Sequence, residues 1–554
     1  MEELKQLLAD ADGSASPWEH LTSEFRHRVP ARFNIGTAVV HSGDPGFKSR
    51  VALTQANPDG TATHWTYWEL DRLSSRLANA MREHGIGSGD RIAVSLPQCV
   101  ELVLAHVAGY KIGAIVVPLF TAFGREAVRH RLANSEAKCL VAADDKHAED
   151  LDDTAVVLRL AVSELQPAGR QRSLPAGSCD FWPFLQAGAT ACAPAETFSE
   201  DPAFLCYTSG TTGPPKGALH AHRVLLGTLP GLSLTHNLSP NAGDLFWTPA
   251  DWGWMGGLFD ALFPAMYWGV PVLAFRNRKF DPEEAFDVIE RFGVQNAFIP
   301  PTALRLMATV RSPRSRWELP LKTIASGGES LGAETYEWAR REIRADINEF
   351  YGQTECNLMV ASCATLGVSR PGSMGKATPG RRVGLVDAGG RPIAEPGELG
   401  ELVAAGPDPI MMLRYWDNPR ATSEKIRDGV LRTGDLARFD EDGYLYFVGR
   451  NDDVISSAGY RIGPADVEDA LHSHEKVAVA AAVGAPDPIR GEVVQAFVVL
   501  VEGAEPSDEL SQELKELVRE RVGGHAYPRQ VVFLPELPTT STGKVRRADL
   551  RNRT

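Results

Sequence analysis

Apolar residues along this chain follow two periods in alternation. Leu70, Leu73, Leu77 and Met81 recur at helical intervals behind Thr66 and Glu69, which have capping-box spacing, so a helix is predicted from about Thr66. The sequence HGIGSGD ends it. A strand is predicted at Arg91 to Leu96, an apolar helix from about Val100 to Tyr110, and a strand at Ala114 to Leu119. Strand, helix and strand at this spacing make a βαβ unit with a parallel sheet. The pattern returns with a strand at Gly269 to Phe275, a helix at Pro282 to Phe292 and a strand at Gln295 to Ile299. A large α/β body follows from this repetition. After about Gly380 the texture changes to short alternating runs divided by Gly and Pro, as in GLVDAGGRPIAEPGELGELVAAGP, which predict small antiparallel strands in a distorted β-barrel. A polar break, GRNDD at Gly449 to Asp453, precedes a mixed α+β stretch that holds the apolar run Val477 to Val483 and a strand at Val493 to Val501. The expected domains are 1–451 and 452–554, with the boundary at Asn451 to Asp453.

The length of 554 residues suits two or more cores. Lys and Arg number 57 against 71 Asp and Glu, a net charge of -14, so the average field repels nucleic acid and anionic membrane, and no nucleic-acid partner is expected. A polyanionic ligand must then meet a local positive site. Seven cysteines lie between Cys99 and Cys363 with no CxxC pair, a pattern of inert thiols in a reducing cytosol. The acidic start MEELKQLLADADG lacks the marks of a secretory signal, and the most apolar stretch, Ile92 to Phe120, carries Gln98, Glu101, His106 and Lys111, which argues against a membrane span. A cytoplasmic location is expected. Oligomeric state is not readable.

The strongest local signal is Tyr207-Thr-Ser-Gly-Thr-Thr-Gly-Pro-Pro-Lys-Gly217, which follows the apolar strand Ala203 to Tyr207. Gly210, Gly213 and Gly217 let the backbone approach a ligand closely. The hydroxyls of Thr208, Ser209, Thr211 and Thr212, with the loop amides, can donate to phosphate oxygens, and Lys216 adds a point charge. The Walker A pattern GxxxxGK[ST] does not occur.

This string closely resembles the phosphate loop of the adenylate-forming (AMP-binding) superfamily, and further motifs follow in the family's order: Ser326-Gly-Gly-Glu-Ser330, Tyr351-Gly-Gln-Thr-Glu355, Thr433-Gly-Asp435, Gly443-Tyr-Leu-Tyr-Phe-Val-Gly-Arg450, Ser457-Ala-Gly-Tyr-Arg-Ile-Gly463 and Pro538-Thr-Thr-Ser-Thr-Gly-Lys544. The resemblance spans nearly the whole chain. It implies parallel sheets sandwiched by helices, a small barrel and a smaller mobile C-terminal lid hinged at Asp452. It implies a nucleotide site of the loop residues with Gly328, Glu329, Ser330, Glu349, Tyr351, Gly352, Gln353 and Thr354. In it Tyr351 faces adenine, Asp435 accepts from ribose hydroxyls and Arg450 contacts ribose or phosphate. Glu355 would hold Mg²⁺, as one or two carboxylates beside substrate phosphates usually do. Lys544 would reach in from the lid. Gly459, Tyr460, Arg461 and Arg519 would meet coenzyme A.

The implied activity is carboxylate–CoA ligation. ATP and an acid give acyl-AMP and pyrophosphate, and CoA then takes the acyl group. All reacting groups are anionic, so catalysis must come from positioning and charge neutralisation, with Lys216, Glu355 and Lys544 in the catalytic roles. Acetate-specific relatives carry Trp at the position of Gly352 and Val at that of Gly327. Glycine at both is expected to open the pocket, with Trp247, Trp252, Trp254, Met255, Phe259 and Met359 as its lining, so that an acid bulkier than acetate is preferred. The chain looks most like the medium-chain acyl-CoA synthetase branch of fatty acid metabolism, but Cys-Asn-Leu-Met follows Glu355 where many relatives have Thr-Gly. A stand-alone enzyme loading a carrier protein, a luciferase-like oxygenase and a non-catalytic adenylate-binding protein are the competing readings.

Overall fold

The computed structural model describes every residue except 1, 11–15, 42–45, 58–59, 144–153, 163–173, 175–176, 209–214, 240, 242, 277–279, 458–459, 488–489, 540–543 and 554. Two large sheets dominate. In the nine-stranded sheet the parallel run is Asp346–Gln353, Thr323–Gly327, Asn296–Phe298, Phe246–Trp247, Val272–Ala274 and Val51–Ala56, with antiparallel strands Cys356–Ala361 and Lys376–Ala377 at one edge and Ala62–Thr66 at the other. The eight-stranded sheet has a parallel run that includes Pro202–Tyr207, Ile115–Pro118, Arg91–Ser95 and Cys139–Ala142, and ends in the antiparallel strands Gly217–Ala221 and Arg414–Tyr415.

The helix Val100–Lys111 is buried along its whole length, and its side chains share one core with residues of both sheets, as an apolar helix without a polar face requires. Its one ammonium, Lys111, is neutralised by Asp71 at 2.7 Å and by the hydroxyls of Ser74 and Ser75 at 2.9 and 3.0 Å. Those partners lie on the helix Tyr67–Glu83, where the expected capping box of Thr66 and Glu69 is formed.

The short strands beyond Gly380 form an open sheet, not the expected barrel. Arg382–Val386, Gly400–Ala405, Val430–Phe439 and Ile426–Arg427 lie in that order, with Leu445–Arg450 also on Val430–Phe439. The closing ladder is absent among the described residues because Ile426–Arg427 is a two-residue edge and Arg382–Val386 pairs on one side only. After Arg450 the chain makes a turn and enters a second, smaller unit. Its strands Ile455–Ser457, Tyr460–Ile462, Val477–Asp487, Gly491–Leu500 and Gln530–Phe533 pack with the helices Pro464–His472 and Asp508–Arg521 around a separate core. This unit docks on the segment after Ser330: Arg521 pairs with Glu334 at 2.7 Å, and the Asp469 carboxylate accepts from the Ala333 amide. No helix among the described residues is long and apolar enough to cross a membrane.

Candidate active site

The hairpin Pro202–Tyr207 and Gly217–Ala221 carries the glycine-rich loop at its turn. Thr208 and Lys216 close the neck: the Thr208 amide donates to the Lys216 carbonyl at 2.9 Å, and the Lys216 amide to the Thr208 hydroxyl at 3.3 Å. The expected ligands Ser209, Gly210, Thr211, Thr212 and Gly213 lie outside the described residues. Strand pairing then builds the site outward. Arg414–Tyr415 pairs with Gly217–Ala221, so Tyr415 stands opposite Ala218. The Lys216 ammonium lies 5.5 Å from the centre of the Tyr415 ring, and the Tyr415 hydroxyl donates to Glu355.

Burial alone would raise the Glu355 carboxyl. Lys425, the Tyr415 hydroxyl and Arg450 outweigh burial and hold it below the usual glutamate value, so it is an anion at neutral pH. The next residue back is fixed from beneath: the Thr354 carbonyl accepts from His220 Nε2 at 2.7 Å. Burial pushes His220 down to about 4, so its ring is neutral at pH 7.

A second polar group gathers on Asp435. Its Oδ2 accepts from the Tyr351 hydroxyl and, at 2.6 Å, from Gln353 Nε2. Lys425 ties Gln353 Oε1 to the Thr433 carbonyl with two 2.9 Å bonds. Arg450, opposite Asp435 in the strand register, lies 3.9 Å from Asp435 Oδ1 and 3.5 Å from Asp452. Oδ2 is already used by Tyr351 and Gln353, and Oδ1 is the oxygen turned toward Arg450.

Tyr351, the anionic Glu355, Lys216 at the neck of the glycine-rich segment and Asp435 with Arg450 are thus joined into one polar group. The family profile described as AMP-binding enzyme matches residues 45–416, and that of the AMP-binding enzyme C-terminal domain matches 466–544. The chain belongs to the AMP-binding enzyme family. It is 33% identical to the acyl-coenzyme A synthetase ACSM3, mitochondrial, of Rattus norvegicus, over 97% of this chain and 93% of that protein. Among solved structures it is similar to the Brucella canis acyl-CoA synthetase, with a TM-score of 0.73, 34% identity and coverage of 99% and 98%. It is also similar to the anthranilate CoA ligase AuaEII in complex with anthranoyl-AMP, with a TM-score of 0.86, 25% identity and coverage of 95% and 98%.

The other residues expected from the AMP-binding pattern fall in several places. Gly328 has φ of 97°, a left-handed turn that suits glycine. Glu329 is held by Arg305 at 2.8 Å and by the Thr302 hydroxyl, and the Ser330 carbonyl accepts from Arg305 at 3.0 Å. Glu349 accepts from the Leu331 amide at 3.1 Å, and burial pushes its carboxyl up to about 8.

The argument that Gly327 and Gly352 open the acyl pocket is corrected by the structure. A Cβ on Gly327 would stand 2.7 Å from the Phe350 carbonyl oxygen and 2.8 Å from its ring. A Cβ on Gly352 would stand 2.7 Å from the Leu358 amide nitrogen. Both glycines permit close backbone packing, and the space beside them is filled. Gly352 sits where the pairing of Asp346–Gln353 with Cys356–Ala361 shifts register, a bulge at the corner of the site.

Of the expected pocket lining, Trp254 and Met255 flank the opening of the segment that carries Trp252 and Phe259, and Trp254 packs with Phe120 and Phe123 at 5.3 and 5.7 Å. Trp252 and Phe259 are fully buried in the main core, and Met359 is buried with Tyr351 and Cys356. Trp247 belongs to the second core with Phe286 and Ile324, apart from the Trp254 group.

In the C-terminal unit, Gly459 and the Arg461 side chain lie outside the described residues. Tyr460 is exposed, and its ring lies 5.2 Å from that of His525. They line a small cavity of about 80 Å³ with Arg490, Tyr527 and Arg529, whereas Arg519 pairs with Glu516 on its own helix. Lys544 is exposed and precedes Val545, which pairs with Thr539. The segment after it is tied to the turn that contains Asp452: Arg551 donates to the Asp452 carbonyl at 3.2 Å and to Asp453, and Arg547 holds Glu468 at 2.7 Å.

Sequence reasoning did not find Tyr415, Lys425 or Asp260. Tyr415 and Lys425 carry no motif of their own: Tyr415 reaches Glu355 from a paired strand, and Lys425 reaches Gln353 from the end of the helix Pro419–Lys425. Asp260 had a visible signal, as a carboxylate inside the apolar run MGGLFDALFPAM.

Proposed function

We propose that this chain is an AMP-forming carboxylate–CoA ligase whose acid is larger than acetate. The observation that carries the reading is the linkage of Lys216, Tyr415 and Glu355 with Tyr351, Gln353, Asp435 and Arg450 in one connected polar group. In this reading Tyr351, its hydroxyl fixed by Asp435, presents a ring to adenine. Asp435 Oδ1 and Arg450 meet the ribose. Thr208, Lys216 and the loop after Thr208 hold the β- and γ-phosphates. The acid's carboxylate oxygen attacks the α-phosphorus and pyrophosphate leaves. CoA sulfur then attacks the acyl carbonyl and AMP leaves.

Magnesium fits the chemistry of Glu355. The carboxylate is kept ionised and accepts the Tyr415 hydroxyl on one oxygen, which suits an ion held jointly by one carboxylate and the phosphates. Bound there, the ion would neutralise phosphate charge. Lys544 would come beside the entering carboxylate and the α-phosphate, where negative charge builds. The aromatic group of Trp254, Phe120 and Phe123 supports an acid with apolar bulk.

Lys544→Ala tests the scheme. It should abolish acid-dependent pyrophosphate exchange yet still convert supplied acyl-adenylate to thioester with CoA. Equal loss of both halves refutes the role of Lys544. Exchange rates with acetate, octanoate, benzoate and a bulky terpenoid acid test the size of the acid, and a preference for acetate overturns it. Replacing CoA by a carrier protein as acceptor decides between the ligase and a stand-alone loading enzyme.

A further inference from the structure

Asp260 stands in a place where a carboxyl is costly to keep. It lies within the segment Leu258–Leu262, a wide helical turn between Met255–Gly257 and Phe263–Trp268, and its neighbours Leu258, Phe259, Ala261 and Leu262 are all fully buried. The side chain is 3% exposed. Its Oδ1 accepts from Asn357 Nδ2 at 2.8 Å, and Asn357 also reaches the Thr228 hydroxyl at 3.2 Å. Its Oδ2 has no hydrogen-bond partner among the described residues. Burial pushes the carboxyl up to about 7, against the smaller opposing effect of Asn357. A purely structural carboxyl at this depth is expected to have both oxygens satisfied.

The direction of the free oxygen points to its use. Gly256 is one helical turn earlier, and a Cβ placed there would lie 3.6 Å from Asp260 Oδ2 and 3.1 Å from the Phe298 ring. Gly256 itself puts no side chain over the oxygen, and the Phe298 ring edges the same place. Gly256 is half-buried, at the Trp254 and Met255 end of the segment. On the opposite side, the Asn357 carbonyl carbon lies 2.8 Å from the Cβ position of Gly352, so the Asp260–Asn357 pair adjoins the corner that carries Tyr351 and Gln353. Asn357 belongs to the stretch Cys-Asn-Leu-Met that follows Glu355 where many relatives have Thr-Gly.

We propose that Asp260, oriented by Asn357, is a specificity residue that hydrogen-bonds a hydroxyl on the body of the acid substrate, so that the enzyme selects hydroxylated carboxylic acids over plain ones. A hydroxyl both donates and accepts, and so matches the carboxyl whether or not it carries a proton. A methylene in the same place leaves the carboxyl buried with an unused oxygen. The proposal rests on the ligase reading above and deepens it.

The test uses the full chain and acid-dependent pyrophosphate exchange with matched acids. One set is octanoate and eight-carbon acids with a single hydroxyl moved from carbon 3 to the terminal carbon. The other is a saturated polycyclic acid with and without one ring hydroxyl. At least one hydroxy acid should exceed its plain partner in kcat/KM by about 10-fold or more. Asp260→Val should reduce that ratio to about 1, whatever its rate with the plain acid. Asp260→Asn, which keeps shape and hydrogen bonding, should preserve the preference. Thermal midpoints report whether each variant folds. If Asp260→Val does not fold, the wild-type ratios and Asp260→Asn still decide, because absence of any hydroxy preference in the wild type overturns the proposal. An unchanged ratio in folded Asp260→Val also overturns it. Exchange with plain acids at equal rates refutes the hydroxyl proposal alone. Exchange with no acid in either set refutes the ligase reading and the proposal with it.

Discussion

Replacing Gly352 by alanine adds one methyl group, and the structure shows what that group meets. Its carbon would stand 2.7 Å from the Leu358 amide nitrogen, 2.8 Å from the Asn357 carbonyl carbon and 3.1 Å from the Asn357 oxygen. These are backbone atoms of the strand Cys356–Ala361, which is paired with Asp346–Gln353 on both sides of the bulge, so they cannot move without disturbing that ladder. Overfilling a packed region costs roughly 1–3 kcal/mol, and the fixed backbone puts this case near the upper end, about 3 kcal/mol. The thermal midpoint of Gly352→Ala should fall by on the order of several degrees. Tyr351 and Gln353 flank the bulge, so their bonds to Asp435 should be disturbed and adenylate formation should fall by a similar factor for every acid. The assay is a thermal melt paired with pyrophosphate exchange for a short, a medium and a bulky acid. An unchanged midpoint with a selective gain for the short acid would mean that the space beside Gly352 is open, and the steric reasoning would fail.

Glu349→Gln should remove a pH dependence. The Glu349 carboxyl is raised from 4.5 to about 8 by burial, so between those values the folded chain holds a proton that the unfolded chain releases. Stability from this group therefore falls as pH rises from 4.5 toward 8, and the midpoint of Glu349→Gln should gain on wild type across that window. A constant difference between pH 5 and pH 8 refutes this. Tyr415→Phe keeps the ring beside Lys216 but removes the hydroxyl on Glu355, and KM for magnesium-ATP should rise about 10-fold, the worth of one hydrogen bond to a charged group. An unchanged KM would place Glu355 outside nucleotide binding. Asp469→Ala removes the carboxylate on the Ala333 amide, a helix cap worth about 1 kcal/mol, and limited proteolysis should cut faster in the turn after Arg450. Identical cleavage would show that this contact does not hold the two units together.

The elements with regular chemistry were legible in the sequence. Pro282–Phe292 has the predicted bounds, because Asp281 caps its start and Gly293 takes a left-handed turn at its end. The capping box at Thr66 was equally plain. The barrel expectation failed because local alternation reports strands but not which edges meet. The roles given to Gly327 and Gly352 failed for a related reason. A missing side chain shows that something comes near, and only coordinates show whether it is ligand or protein. Lys425 and Tyr415 were silent because each acts at a distance in sequence, Lys425 lying 72 positions from its partner Gln353 and Tyr415 60 positions from Glu355.

Arg450 faces Asp435 on one side and Asp452 on the other, and the next acid, Asp453, binds Arg551 close behind the segment that bears Lys544. One guanidinium is thus shared between Asp435 and the turn from which the smaller unit starts. In the proposed scheme a ribose on Asp435 would compete for that cation, so binding at the site would change the charge balance at the turn.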